Sequence, residues 1–580
     1  MSDTEIAEFG LGPQIHREHT STSRASRGIH RHDGGLSHFA DLVQSISNQD
    51  AEARYKAEEA DNRLPTDDSP DPSQFQGAEG KTIISWEPND KENPYNWPRW
   101  RKNLILVTTM TTVLNSTMGS SLPSMAIPYM MKEWGITSQT QSILPFSTFL
   151  MGYVFGPIVW GPLSEHIGRR ILSTGAFAML MVWTLACALA PNWPAMLVFR
   201  YLVGVCASAP IAVVTGQLAD IYNDSVARGR AMSWFMVFTI FGPLLAPIIS
   251  GFSSTSIGWR WTFWIGLIFA GATSILVAFL PETYAPVLLT RRARKIRKAD
   301  PKAQVYSAFE LEPHDMKQLV TRVLTRPIRM ILTELIVTAT CLYLSLVYAI
   351  FYMSFQAFPI IFQDVYGLSP GVTGLCYLPI GFGAMLALPV FFTYDHILLN
   401  AQARGEAWSK KEEFRRVPLA TLGGPLFVIS LFWLGWSARS NVSFVVPMLA
   451  GIPFGAGFML IFMALLNYIT DAYEIFAASA NAAASSCRSV FAVALPFATI
   501  PMFDRLGISG ACSLLGGLSL CMCAIPFIFI WKGAAIRERS KFCIALKEQK
   551  REMERRHEEQ QRRRARAAAS GGMFGDKETI

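Results

Sequence analysis

The 580-residue chain is short of charge. Asp, Glu, Lys and Arg make up 17% of it, where a soluble protein carries about a quarter, and the deficit is uneven. Residues 1–102 hold 12 Lys/Arg against 18 Asp/Glu, and residues 533–580 hold 13 against 8, which leaves 27 basic and 18 acidic residues for the 430 residues between. Leu104–Met131, Trp134–Ser164, Ile171–Phe199, Tyr201–Ala219, Ala231–Trp259 and Trp261–Pro281 contain no charged residue at all. Uncharged apolar stretches of about 20 residues can cross a hydrocarbon core about 30 Å thick. The shortage therefore excludes a string of soluble domains and makes the chain a polytopic membrane protein.

Other absences narrow the class. The N-terminus has no apolar signal region, so the first span must itself direct insertion. Of the nine cysteines, Cys187, Cys206, Cys341, Cys376, Cys487, Cys512, Cys521 and Cys523 fall in apolar spans and Cys543 in the tail. With none in an external loop, a disulfide framework is not expected, and these thiols read as small packing residues. Gly-rich segments such as Gly451–Gly457 lie within spans and lack the Lys of a nucleotide-binding loop, which argues against ATP-driven transport and implies no cofactor. No catalytic dyad is visible inside the apolar region, so an enzyme is not expected. No His lies clearly inside a span (His396 is at a boundary), so protons would have to use carboxylates. The net charge of +8 sits beside the spans, where anionic head groups attract Lys and Arg; the partner is the lipid bilayer, not nucleic acid.

What is present is a repeated pattern. Apolar spans are predicted near 104–128, 141–163, 171–190, 195–219, 231–252 and 261–280, then near 332–359, 371–393, 417–437, 443–470, 477–502 and 508–531. Six plus six, around a polar segment from Glu282 to Arg329, suits a transporter built from two repeated halves. If the N-terminus is cytosolic, the cytosolic connections with Lys532 hold 21 of the 27 basic residues of the middle region, and the external loops hold only Lys132, Arg260, Arg439 and Arg505. That asymmetry fits both termini in the cytosol. The expected organisation is a disordered, acidic N-terminal tail (1–92), a first six-helix half (93–281), a cytosolic central loop (282–330), a second half (331–532) and a basic C-terminal tail (533–580). From Arg537 to Arg566 that tail reads as a solvated or membrane-surface helix. Asn441-Val442-Ser443 matches a glycosylation acceptor in an external loop.

Several motifs sit on this frame. The loop between spans two and three reads Gly161-Pro162-Leu163-Ser164-Glu165-His166-Ile167-Gly168-Arg169-Arg170. Its glycines permit a tight turn at the bilayer surface. Its acid and arginines can pair with each other and with a helix end of the other half, a latch favouring one access state. Span four carries Arg200 four residues before Gly204 and ends at Asp220. An isolated Arg in a span costs at least about 2.5 kcal/mol, so Arg200 needs an acidic or carbonyl partner or a water-filled cavity, unless it snorkels to the nearby external face. Span five carries Gly242-Pro243-Leu244-Leu245-Ala246-Pro247-Ile248-Ile249-Ser250-Gly251; two prolines four apart bend the helix, and its small residues admit a close neighbour.

The loop resembles the signature loop of the major facilitator superfamily. The span-five segment resembles the Gly-Pro-rich motif of that family's drug:proton antiporters, with Ala246 and Ser250 where Gly is preferred, and the span-four segment matches in part, with Val203 where Gln is common. Asn93-Pro94-Tyr95-Asn96-Trp97-Pro98, Gly258-Trp259-Arg260-Trp261, Pro281-Glu282-Thr283-Tyr284-Ala285-Pro286, Leu378-Pro379-Ile380-Gly381, Asn467-Tyr468, Asp471-Ala472-Tyr473 and Arg488-Ser489 extend the likeness to the fungal twelve-span branch of multidrug, polyamine and secondary-metabolite exporters. The chain departs from it at Gln356-Ala357-Phe358-Pro359, where relatives commonly carry Glu. The resemblance implies an all-α, twelve-helix proton-coupled exporter of a small organic compound, working as a monomer in the plasma membrane, with the vacuolar membrane as alternative. It implies Arg200 with Asp220 or Glu334 for proton coupling, and Gln217, Tyr352, Gln356 and Asn467 as cavity groups. Glu334 reads equally as a helix cap paired with Arg329. A polyamine exporter, which would need a carboxylate-lined cavity, and a transport-inactive sensor are the competing readings.

Overall fold

The computed structural model describes residues 74–76, 82–87, 89–301, 303–311, 316–411, 413–473, 477–540 and 542–544, with four isolated positions beyond. Among the described residues nine helices are long and apolar enough to cross a membrane, or ten if the bent pair Gln139–Pro157 and Val159–Ile167 is one span. One of the nine, Ser479–Arg539, has 61 residues and would be about 90 Å long if straight. It breaks at Gly507 (φ 68°, ψ 174°) and so supplies two. A further long helix, Arg99–Ser121, is too rich in Thr, Ser and Asn to read as apolar. Its hydroxyls donate to carbonyls three or four residues back, as Thr108 to Leu104 (2.8 Å) and Thr117 to Val113 (2.9 Å), which suits it to the protein interior.

Besides the basic helix Met316–Thr333, twelve long helices are described: α1 Arg99–Ser121, α2 Leu144–Ile167, α3 Arg169–Ala188, α4 Trp193–Ile221, α5 Ser225–Ser256, α6 Arg260–Ala278, α7 Leu335–Phe358, α8 Leu378–Ala403, α9 Glu413–Ser437, α10 Gly451–Tyr473, α11 Ala477–Ala494 and α12 508–539. Each coincides with one predicted span. The pairings repeat: α1 packs on α5, α2 on α4, α3 on α6, and likewise α7 on α11, α8 on α10, α9 on α12. Between the halves α2 meets α11 and α5 meets α8, pairs that exchange when the halves are swapped, as a two-fold pseudosymmetric joint requires. The outer surface is apolar (Val182, Ile268, Phe382), and Trp100 and Trp531 stand exposed where the helices meet the basic loops, as interfacial aromatics do.

The loops 2–3, 4–5, 6–7, 8–9 and 10–11 share one end of the bundle, called the basic end below. There the structure corrects the expected tail. Gln74–Gln76 pairs antiparallel with Thr82–Ile84, which pairs in parallel with Val305–Tyr306. Ile84, Trp86 and Val305 bury against Leu289 and Ala293 of the basic helix Ala285–Ala299. A few apolar side chains in a polar stretch thus suffice, given an amphipathic helix to cover, and the unstructured segment cannot extend to residue 92. Glu310 accepts from Arg294 (3.0 Å) and Arg297 (2.9 Å). Burial alone would raise its pKa, but these hydrogen bonds, led by that of Arg297, outweigh it and hold the carboxyl below its ordinary value. The rest of the expected N-terminal tail, and most of the C-terminal one, lies outside the described residues.

Candidate transport site and gating elements

The 2–3 loop turns at Gly168, whose φ of 98° and ψ of 153° suit only glycine. A Cβ there would also lie 2.5 Å from Glu282 Oε2. Glu282 is the pivot: its carboxylate accepts from the backbone N–H of Arg169 (2.9 Å) and Arg170 (3.2 Å), capping the start of α3, where the helix dipole favours an anion. Arg169 ion-pairs with Asp220 of α4 (3.3 Å), donates to Ser164 Oγ (2.5 Å) and lies over the Tyr284 ring. Glu165 is partly buried beside it, and Gly161 has open space around its Cα. Arg169 ion-pairs within the first half, and the α3 start is capped by Glu282 at the head of the central loop. In this state the Glu282 and Asp220 motifs complete the loop, and no described ion pair joins it to the second half.

Arg200 is 1% exposed and does not snorkel. It donates to the carbonyls of Pro145 (3.0 Å), Gly119 (2.6 Å) and Ser120 (2.8 Å) and stacks on Phe149. Gly204, one turn on, lets α2 in: a Cβ there would lie 2.1 Å from the Phe149 carbonyl. The pair therefore clamps the ends of α1 and α2. Asp220, at the other end of α4, pairs with Arg169, and Glu334 accepts from Tyr473 (2.9 Å) and from the backbone of Phe542 (3.5 Å). The structure brings Arg200 together with neither carboxylate. Glu334 is 2% exposed and caps no backbone N–H of α7 with its side chain; it anchors the stretch after α12, where Phe542 and Cys543 are buried. Arg537 pairs with Glu413 beside it.

The α5 motif closes the end opposite the basic loops. Gly242 admits α1, and Pro243, bonded to nothing through nitrogen, offers its carbonyl to Ser121 (2.7 Å). Further along, a Cβ on Gly251 would lie 2.4 Å from the Pro370 carbonyl, and one on Gly374 would lie 2.6 Å from the Pro247 carbonyl. Ser147 of α2 donates to Val493 of α11 (3.1 Å) at the same end. The halves are thus zipped together away from the basic end. Outside the spans Glu133 accepts from Trp259 (2.6 Å) and Arg260 (2.7 Å), which explains the Gly-Trp-Arg-Trp segment. Burial raises the Glu133 pKa and these two bonds lower it further than burial raises it. Asn441 is exposed in the 9–10 turn.

Between the halves, residues 348, 352 and 356 fall on one face of α7. Tyr352 donates to Ser120 Oγ across the joint (3.1 Å) and lies 3.5 Å from the Tyr348 hydroxyl. Ser116 shares a hydrogen bond with Tyr153 (2.7 Å). Gln356 Oε1 is buried without a hydrogen-bond partner. Arg488 of α11 lies over the rings of Tyr348 (5.3 Å) and Phe462 (5.9 Å). Tyr352 and Gln356 thus belong to one interfacial cluster. Gln217 does not join it here: it is 1% exposed and donates to Ser173 of α3 (3.5 Å), because residue 217 faces the α3–α4 seam. Asn467 bonds back to the Met463 carbonyl. Tyr348 could be read from the sequence as a cavity aromatic and Arg488 as a charge inside a span that needs a reason; sequence reading missed Ser120 and Tyr153 and the grouping itself, for which the four-residue spacing of Tyr348, Tyr352 and Gln356 was the available signal.

Two like six-helix halves, zipped at one end and carrying charged loops at the other, define a secondary transporter. The chain belongs to the Major Facilitator Superfamily, whose profile matches residues 109–496. It is 36% identical over 461 residues to the efflux pump FUBT of Fusarium oxysporum, covering 79% of this chain and 77% of that one. It is 35% identical over 465 residues to the citrinin biosynthesis cluster MFS transporter mrr1 of Monascus ruber, covering 79% and 92%. Among solved structures it resembles the proton:xylose symporter XylE with a TM-score of 0.54 at 16% identity, over 75% of this chain and 96% of that one. A partially occluded inward open form of XylE from E. coli gives 0.52 at 17%, over 74% and 98%.

Proposed function

We propose that the protein exports a small organic compound, a drug, toxin or secondary metabolite, in exchange for protons across a fungal plasma membrane, with both termini in the cytosol. The observation that carries this reading is the likeness to relatives named as an efflux pump and as a biosynthesis-cluster transporter. The α5 motif fits alternating access, since Gly251 and Pro247 lie at the close contact that must open for release outside, and exchange rests on its likeness to the antiporter motif. The solute would sit among Tyr352, Gln356 and Asn467. The protons would use Glu334, buried against Tyr473, or Asp220, which pairs with Arg169. Protonation can shift two states only through differential affinity: neutral Glu334 would loosen Tyr473 and the docked segment after α12. A polyamine cargo fits poorly with an arginine rather than a carboxylate at the centre.

Inside-out membrane vesicles from a pump-deficient yeast test the reading. An acid-inside gradient should drive uptake of one or more compounds from a panel of fungal metabolites and drugs, and a protonophore should abolish it. Glu334→Gln should retain counterflow while losing most of the gradient's stimulation. Absence of both driven uptake and counterflow for every compound would favour a transport-inactive sensor instead.

A further inference from the structure

We infer that the transported solute is an organic anion, and that Arg488 is the residue that recognises its acidic group. This rests on the transport reading only in placing the solute between the halves. Arg488 lies in the interior of an α-helix that faces both α7 and α2. Its side chain points inward, over the Tyr348 and Phe462 rings, whereas Val490, two residues on, lies on the outer face and is 49% exposed. The guanidinium is poorly satisfied. Among the described residues its one hydrogen bond is from Nη2 to Ser485 Oγ at 3.3 Å, and Nε is buried with no partner among them. No described carboxylate lies within ion-pair distance of it.

The contrast with Arg200 makes the inference specific. Both are arginines deep in apolar helices, and burying an unpaired charge is costly. Arg200 meets that cost with three backbone carbonyls and is sealed. Arg488 does not, and it remains partly exposed, as does Tyr348 beside it. Described carboxylates cannot neutralise it: Glu165, Asp220, Glu334, Asp364, Glu413 and Asp471 lie near helix ends, and Asp395, two turns inside α8, is paired with Arg416. The centre of the transporter therefore carries a positive field from Arg488 and Arg200 with hydroxyls of Tyr348, Tyr352 and Ser120 around it. A planar carboxylate or enolate on an aromatic or apolar body is the chemistry that fits: the acid pairs with the guanidinium fork, and the body packs beside Phe462, which stacks on Phe458 and leads into a contiguous cluster of rings with Phe351 and Phe355.

The test uses the purified full-length protein in detergent and matched ligands: 4-butylbenzoate, its primary amide and the corresponding benzylammonium, with a wider panel of arylcarboxylates and their amides. Binding is read by ligand-induced thermal shift. At least one carboxylate should bind about tenfold or more tightly than its amide. Arg488→Gln should erase that preference by weakening the carboxylate far more than the amide, Arg488→Lys should restore part of it, and Tyr348→Phe should weaken both ligands alike. No preference for any carboxylate over its amide, or a preference that survives Arg488→Gln, overturns the proposal. The two readings fail separately. Driven vesicle uptake of neutral or cationic compounds alone would leave export standing and refute the anion; carboxylate binding without driven uptake would do the reverse.

Discussion

Arg200 shows how one side chain expected to serve coupling also ties two helices together. Its three carbonyl acceptors lie at the end of α1 and the start of α2, so removing it orphans buried oxygens on two helices. Arg200→Ala should therefore lower thermal stability by about 3 kcal/mol as well as abolish transport. Arg200→Lys, with one charged donor group, should recover part of the stability. Thermal unfolding in detergent beside vesicle uptake separates the roles: a Lys variant as stable as wild type but inactive would mark a role in coupling, and an Ala variant of full stability would refute the tie. Glu133 poses a pH question at the same scale. Its pKa is lowered in the fold, so the stability it adds is present above its ordinary value and lost only as pH falls through the depressed one. The stability difference between wild type and Glu133→Gln should thus stay constant from about pH 7 to pH 5. A difference that vanishes over that window would show that Glu133 takes up the external proton.

Elements were legible where their chemistry is local. Missing charge marked twelve helices, and the prolines and glycines of α5 foretold a close contact, because helix period and small side chains are properties of a few adjacent residues. Even α1, polar enough to fail a hydropathy test, was readable from its lack of charge. The partners were not legible, since they depend on which segments the fold brings together. Glu282 was visible as part of a motif, but its capping of α3 requires residues 113 apart in sequence to meet. The strand Thr82–Ile84 and the burial of Phe542 were hidden in tails whose average composition is polar. The same long-range contact gives a test. Gly168→Ala must bear a backbone conformation suited to glycine and push against the Glu282 carboxylate, so it should cost about 2 kcal/mol and free the first turn of α3. Glu282→Gln, which keeps the turn but weakens the cap, should cost less. Amide exchange at residues 169–172 should quicken in both variants, and protection unchanged in the Ala variant would refute the capping role.

At the scale of the whole molecule the two ends are unequal. Away from the basic loops, Gly251 and Gly374 let backbones of opposite halves approach within contact of each other's carbonyls, and Ser147 and Val493 join α2 to α11. At the basic end, the described ion pairs of Arg169, Glu413 and Arg416 stay within their own halves. This is the arrangement of a carrier sealed at the far end, and the seal has little tolerance, since packed interfaces choose between arrangements rather than deform smoothly. A single methyl on Gly251 or Gly374 must separate the halves there. Because rocking couples the ends, what loosens one should tighten the other. In Gly251→Ala and Gly374→Ala, amide exchange should therefore quicken over 364–376 and 248–258 and slow over 161–168 and 330–335. Acceleration at both ends would mean plain destabilisation, and no change at the far end would mean the glycines do not hold the seal. Slowing at the basic end alongside loosening at the other is the signature that only a two-state carrier produces.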